Sequence, residues 1–257
     1  MSNSHLLEVK DLNKSFGGIQ AVNIPNLTFE NNVLTSIIGP NGAGKTTFFD
    51  LISKFQSFDG GEILFEGKDI SNSQPYKIAR MGMVRTFQLT KVFDRMSVLE
   101  NLMFAGSSVR NDSFFYSLFK FGSQKDNEKE LERKSYEVME MLNLDNMAKS
   151  YARELSGGQK KLLELGRAIV KNPKVLLLDE PLAGVNPKLA EQILEIISNL
   201  IEEGKTVLMV EHNIEAVMKV SERVVVMAEG EVIADGAPND IRADQKVIDA
   251  YLGSGNE

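Results

Sequence analysis

The stretch VLTSIIGPNGAGKTT, residues 33–47, decides the fold. Residues 33–38 are mostly apolar and rich in β-branched side chains, the composition of a strand buried on both faces of a parallel sheet. Gly39 ends that strand, Gly39, Pro40, Asn41, Gly42, Ala43 and Gly44 form a loop, and Lys45, Thr46 and Thr47 open a helix running through Phe48, Phe49, Leu51 and Ile52. The segment satisfies G-x-x-x-x-G-K-[ST], with the strand before it and the helix after it that the mechanism requires. Small residues let the backbone curl its N–H groups onto phosphate oxygens, and the helix N-terminus adds partial positive charge. Lys45 brings a full charge to β- and γ-phosphates, the Thr46 hydroxyl is a hard oxygen donor suited to Mg²⁺, and Thr47 can donate to an α-phosphate. A nucleoside triphosphate is the implied ligand; the loop alone does not say what its energy drives.

Composition narrows the classes. At 257 residues, 42% apolar and 25% charged, the chain reads as an ordinary globular protein with room for a sizeable core. A net charge of -7 argues against a nucleic-acid surface, which needs a basic stripe to displace counterions. The chain holds no cysteine, which rules out disulfides and thiolate metal sites. Its opening, MSNSHLLEVKDL, lacks a basic segment followed by an apolar run, so no secretory signal is expected. No apolar run approaches about 18 residues, so any membrane contact is expected to be peripheral.

Upstream of the loop, residues 6–12 alternate as a half-exposed strand, and Phe16 precedes a Gly17-Gly18 turn. An aromatic there either stacks on an adenine ring or packs in the core. Residues 24–29 read as another strand, and Asn31-Asn32 as a turn. Asp59, Gly60 and Gly61 turn into a strand over 62–65, which implies a small antiparallel sheet beside the nucleotide. Pro75 starts a helix ending near Gly82, and a strand over 83–87 delivers Gln88. That carboxamide completes a Mg²⁺ shell, holds the attacking water, or lies on the surface.

From residue 89 to 150 the character is helical. Ser97 with Glu100 forms a capping box, and Val138, Met141, Leu142 and Leu144 form an apolar stripe. The run SFFYSLFKF, residues 113–121, is either a docking surface or the buried face of a small helix, and residues 124–134 read as a solvated face. Then comes LSGGQ, residues 155–159, with Ser156 as helix N-cap and Gly157 and Gly158 leaving the helix start open to an anion. Leu162, Leu165 and Ile169 continue that helix. One chain thus carries two phosphate-binding helix ends but only one lysine; the second is economically explained as completing a site on another copy.

Residues 175–178 are a fully apolar strand that delivers Asp179 and Glu180 at its C-terminal end, where open α/β sheets bind ligands. Asp179 is expected to hold Mg²⁺ through water, and Glu180 to orient and deprotonate the attacking water. A helix over 188–203 buries Leu189, Ile193, Ile196 and Leu200 and stops at Gly204. The strand over 206–210 carries Glu211 and His212 to the same edge, which suits His212 for a γ-phosphate contact. Strands over 223–227 and 232–235, joined at Glu229-Gly230, and a helix over 244–251 close the chain.

In this order, the phosphate loop, Gln88, LSGGQ, the Asp179-Glu180 strand and His212 make the whole chain resemble the nucleotide-binding subunits of ATP-binding-cassette (ABC) transporters. Within them it is similar to the ATPases of branched-chain amino acid importers, through SFGGIQAV, IARMGMVRTFQ, VLENLMFA, LLLDEPLAGVNP and the closing GAPNDIRADQKVIDAYLG. The resemblance implies an α/β P-loop NTPase with a mixed central sheet, an antiparallel β subdomain and an α-helical signature subdomain. It implies one ABC ATPase domain over 1–257, with the nucleotide-binding core in 6–88 and 160–257 and the helical subdomain in 89–159. It implies ATP and Mg²⁺ as ligands, the metal on Thr46, Gln88 and Asp179, with catalysis by Glu180, His212 and Gln88. Phe16 becomes the adenine-stacking residue, and Ser156, Gly157, Gly158 and Gln159 act on a second subunit's nucleotide. The implied partners are a second ABC ATPase, two integral-membrane permeases and, indirectly, an extracytoplasmic solute-binding protein, at the cytoplasmic face of the membrane. An importer of urea, amides or other amino acids, or a soluble ABC ATPase, are the alternatives. The chain departs from many relatives at Asn31-Asn32, where Gly-Glu is common, and at Asn186, where aspartate is common.

Overall fold

The computed structural model describes residues 5–86, 92–107 and 123–253. The expected positions Phe87 and Gln88 and the aromatic run 113–121 lie outside the described residues. Contacts divide the chain into two units, Met1–Gln88 with Lys174–Glu257, and Leu89–Pro173.

The first unit contains both sheets. The antiparallel sheet comprises β1 (His5–Phe16), β2 (Ile19–Glu30), β4 (Gly60–Phe65) and β5 (Lys68–Asp69), in the order β2-β1-β4-β5. β1 and β2 run well past the apolar stretches expected at 6–12 and 24–29. Their polar ends, Asn13 opposite Asn23 and Lys14 opposite Val22, stay paired because backbone hydrogen bonds continue the hairpin where burial has stopped.

The other sheet comprises β3 (Leu34–Ile38), β6 (Met83–Arg85), β7 (Val175–Asp179), β8 (Thr206–Val210), β9 (Arg223–Ala228) and β10 (Glu231–Gly236). Its order is β10-β9-β3-β8-β7-β6, parallel throughout except for β10 against β9. β3, β7 and β8 are buried at every position, as continuous apolar strands between two covered faces must be. Helix α1 (Lys45–Ile52) begins at the expected residue. Its Phe48, Phe49, Leu51 and Ile52 are fully buried in a cluster with Phe29 and Phe65 of the antiparallel sheet, so the phosphate-loop helix rests on the largest side chains of the core.

Helix α2 (Pro75–Met81) starts on its proline and stops at Gly82, as expected. In the second unit, α3 (Val98–Gly106), α4 (Ser123–Met141) and α5 (Gly157–Ile169) pack on one another. This unit runs to Pro173 and takes in the whole of α5, beyond the expected span 89–159. Along α4 the buried face is Ser135, Val138, Met139 and, just past the helix end, Leu142. Met139 is fully buried and Met141 only partly, because the helical period from Ser135 reaches 138, 139 and 142. The capping box at Ser97 and Glu100 forms in both directions.

Asn101, fully buried, ties the segment before α3 to that helix: its carboxamide accepts from the Phe93 N–H at 2.9 Å and donates to the carbonyls of Phe93 and Ser97.

In the first unit, α6 (Pro187–Glu202) buries Ile193, Ile196, Ile197 and Leu200; Leu189, expected in that stripe, is only half-buried in the first turn. Two helices escape hydrophobic patterning, α7 (Ile214–Val220) and α8 (Pro238–Ala243), because each is under two turns long; α9 (Gln245–Gly253) follows them. No helix among the described residues is long and apolar enough to cross a membrane.

Asn101→Leu takes the acceptor away from the part-buried Phe93 N–H and leaves an apolar side chain among the carbonyls of Phe93 and Ser97. It is expected to destabilise the fold by about 2 kcal/mol, read as a lower urea midpoint at unchanged slope.

Candidate active site

Strand register builds the site. Ile37 of β3 and Asp179 of β7 both pair with Val210 of β8, so the three strands end level. The Glu180 N–H then bonds the Val210 carbonyl at 2.9 Å and the Glu211 N–H reaches that of Ile37 at 3.4 Å. The loop after β3, the acids after β7 and the Glu211-His212 pair after β8 thereby collect at one edge.

A cleft of about 300 Å³ lies there, lined by Ala21, Asn41, Gly42, Ala43, Gly44, Lys45, Thr46, Thr47, Glu180 and His212. Residues expected from separate parts of the sequence are thus brought together. The loop is glycine-rich for a steric reason at two positions: a Cβ on Gly39 would sit 2.0 Å from the Met227 carbonyl oxygen, and one on Gly44 would sit 2.3 Å from that of Ala21. Both glycines hold positive φ, 152° and 92°, which L side chains avoid. Lys45 is buried and its Nζ donates to the Gly39 and Pro40 carbonyls at 2.7 and 2.9 Å. Burial lowers its pKa from the usual lysine value, and the neighbouring Glu180 carboxylate opposes that shift. Thr46 is exposed on the cleft wall and Thr47 half-exposed.

Glu180 adopts φ 50°, a left-handed conformation costly for a residue with a Cβ. The turn carries its carboxylate to within 2.8 Å of His212 Nε2, a direct contact that spacing in the sequence does not disclose. Glu211 is 3% exposed. Its carboxylate accepts from the N–H groups of Leu182 at 2.6 Å and His212 at 3.1 Å, pinning the turn after Glu180 to the end of β8. Burial raises the Glu211 pKa, while these donors work against the rise. Sequence reading placed Glu211 at the edge without a task; an acid ending an apolar strand beside His212 was the available signal.

Asp179 is buried, and its carboxylate is divided. Oδ2 accepts from Arg85 at 2.8 Å, whereas Oδ1 is buried with no hydrogen-bond partner among the described residues. Arg85 was not singled out from the sequence. Its other partners are Asp50 at 2.6 Å and Ser53 Oγ at 3.1 Å, both on or just past α1. No group of three or more His, Asp and Glu side chains among the described residues could cage a metal alone. An orphaned carboxylate oxygen and the Thr46 hydroxyl instead fit a hard cation that shares its ligands with phosphates.

Phe16 is 43% exposed at the end of β1, with Lys14 Nζ 5.4 Å from its ring centroid. It is therefore not a packed core residue. In the helical unit, Ser156 caps α5 with a reciprocal box: it accepts from the Gln159 N–H at 3.3 Å and its own N–H donates to Gln159 Oε1 at 2.9 Å. A Cβ on Gly157 would meet nothing within 4 Å, so this helix start presents open backbone, while Gln159 is occupied by the cap and by Met147 Sδ. Asn186 caps α6 by accepting from the Leu189 N–H at 2.9 Å, a task an aspartate would perform equally.

Comparison with known proteins agrees with this geometry. The family described as ABC transporter matches residues 22–183, and the family described as branched-chain amino acid ATP-binding cassette transporter matches residues 231–256. The chain is 43% identical to the "Probable branched-chain amino acid transport ATP-binding protein LivG" of Archaeoglobus fulgidus, covering 97% of this chain and 96% of that protein. It is 41% identical to the high-affinity branched-chain amino acid transport ATP-binding protein BraF of Pseudomonas aeruginosa, covering 96% and 98%. Among solved structures, the ADP conformation of an ATP-binding cassette of an ABC transporter superposes with a TM-score of 0.83 at 36% identity, covering 97% of this chain and 99% of that one.

Gly39→Ala cannot seat its methyl without moving the β9 backbone, a strain of about 1–3 kcal/mol. It is expected to weaken equilibrium binding of a fluorescent ATP analogue by roughly tenfold or more.

Proposed function

We propose, from the premise that the chain belongs to the ABC transporter family and is one of its ATPases, that it drives the import of branched-chain amino acids. The cassette binds and hydrolyses ATP; the solute assignment rests on the matched C-terminal segment, residues 231–256.

In this reading the triphosphate lies against the loop of residues 39–44, with Lys45 exchanging its carbonyl partners for β- and γ-phosphate oxygens. Thr47 donates to the α-phosphate, and the exposed Phe16 ring stacks on adenine. Thr46, Asp179 and Gln88 would hold Mg²⁺, which neutralises charge developing on the phosphates. Glu180 accepts the proton of the attacking water. His212, 2.8 Å from that carboxylate, keeps it oriented and donates to the transferring phosphoryl group. The left-handed turn at Glu180 is the kind of local strain that functional sites retain.

A second ABC ATPase subunit contributes Ser156, Gly157, Gly158 and Gln159 to this nucleotide, and this chain's own set serves the partner's. The open helix start at Gly157 supports that exchange. The pair works on the cytoplasmic face of the membrane against two integral permeases fed by an extracytoplasmic solute-binding protein, with no role for nucleic acid.

Glu180→Gln is expected to lower ATP turnover by about 10²–10⁴-fold while leaving ATP binding intact. Combined with His212→Ala, the loss should fall well short of the product of the single losses, since the two side chains act as one unit. Wild-type turnover in Glu180→Gln would remove Glu180 from the mechanism. The transport assignment is tested by uptake of labelled leucine, valine and urea in native cells lacking this chain. Loss of leucine and valine uptake supports it, and selective loss of urea uptake overturns it.

A further inference from the structure

Among the described residues, Arg85 is a buried strong cation beside the site that the mechanism above leaves unused. It ends β6, three residues before Gln88 in the sequence. Its side chain is 6% exposed, among the least accessible charges near the cleft. The guanidinium is shared. One terminal nitrogen bonds Asp50 at 2.6 Å and Ser53 Oγ at 3.1 Å, and the other bonds Asp179 Oδ2 at 2.8 Å. The rings of Phe49 and Phe55 lie 5.7 and 5.8 Å from its Cζ and wall it from water.

The elements joined in this way each carry an oxygen assigned above to the metal. Helix α1 presents Thr46, one helical turn before Asp50 and on the same face. Strand β7 presents Asp179. A planar guanidinium with fixed donor directions sets both the spacing and the angle between two carboxylates, which a flexible ammonium cannot do. By holding Oδ2, it also decides which oxygen of Asp179 is left over: Oδ1, buried and unpartnered among the described residues.

We propose that Arg85 is a positioning residue for the divalent cation of the nucleotide site, fixing α1 against β7 and reserving Asp179 Oδ1 for the metal's ligand shell. The inference rests on the assignment of Asp179 to the metal. It predicts that Arg85 acts on metal affinity and not on the nucleotide's grip on the loop, because its hydrogen-bond partners among the described residues, Asp50, Ser53 and Asp179, lie outside residues 39–47.

The test uses the full-length protein saturated with a non-hydrolysable ATP analogue. Mn²⁺ is titrated in and the free ion read by electron paramagnetic resonance, while metal-free nucleotide affinity is measured separately in chelator. Arg85→Met is expected to weaken Mn²⁺ binding about tenfold or more, as loss of a group orienting a metal ligand does, with metal-free nucleotide affinity within about twofold of wild type. Arg85→Lys, which keeps the charge but cannot serve Asp50 and Asp179 together, should weaken Mn²⁺ to a lesser degree; it carries the test if Arg85→Met does not fold. Unchanged Mn²⁺ affinity overturns the proposal, as does a parallel fall in both affinities, which would mark Arg85 as structural. Asp179→Asn separates the two layers. If it leaves Mn²⁺ affinity untouched, the metal assignment itself fails; if it weakens Mn²⁺ and the Arg85 variants do not, only the positioning role fails.

Discussion

The site depends on three parallel strands ending level. Because Ile37 and Asp179 share Val210 as their register partner, a loop and two acidic strand ends far apart in the chain meet at one edge. The ladder extends past the strands through the N–H groups of Glu180 and Glu211, so both acids begin from hydrogen-bonded backbone. A slip of register in any one strand would reverse which residues face the cleft. The unbroken burial of β3, β7 and β8 protects that register, since no exposed face exists for a slipped strand to occupy.

Three carboxylates at this edge are differentiated by their partners. Asp179 is paired with a buried guanidinium, Glu180 with an imidazole, and Glu211 with backbone N–H groups. These are different environments for the same functional group: one carboxylate beside a fixed cation, one beside an imidazole, and one that holds a turn. Lys45 is buried against carbonyls, where burial lowers its pKa and the Glu180 carboxylate opposes that shift.

In the helical unit the determining features are helix starts and close approaches. Reciprocal capping boxes define the beginnings of α3 and α5. Gly166 lets α5 lie against Leu142 and Leu102, where a Cβ would come within 2.5 Å and 3.1 Å of their methyl groups. The box at Ser156 commits the serine hydroxyl and the Gln159 carboxamide to the helix itself and leaves the backbone at Gly157 as the open feature.

Much of this was legible in the chain. The loop of residues 39–44, the start of α1, the caps at Ser97 and Ser156, and Asp179, Glu180 and His212 at strand ends follow from local patterns: glycine spacing, N-cap chemistry and apolar runs ending in acids. Such signals are contained within about ten residues, where backbone sterics and local hydrogen bonds act. Local patterning could not reveal the reach of the β1–β2 hairpin, where polar residues remain paired, nor α7 and α8, too short for a periodic stripe. It also left Phe16 undecided between a packed core residue and a stacking one, and its exposure excludes only the first. Above all, the contact of Glu180 with His212 and the sharing of Arg85 by Asp50 and Asp179 join residues 32, 35 and 94 positions apart. The sequence by itself determined which chemical groups reach the sheet edge. Only the tertiary structure decided which of them touch, because those pairings are set by register and packing between elements distant in the chain.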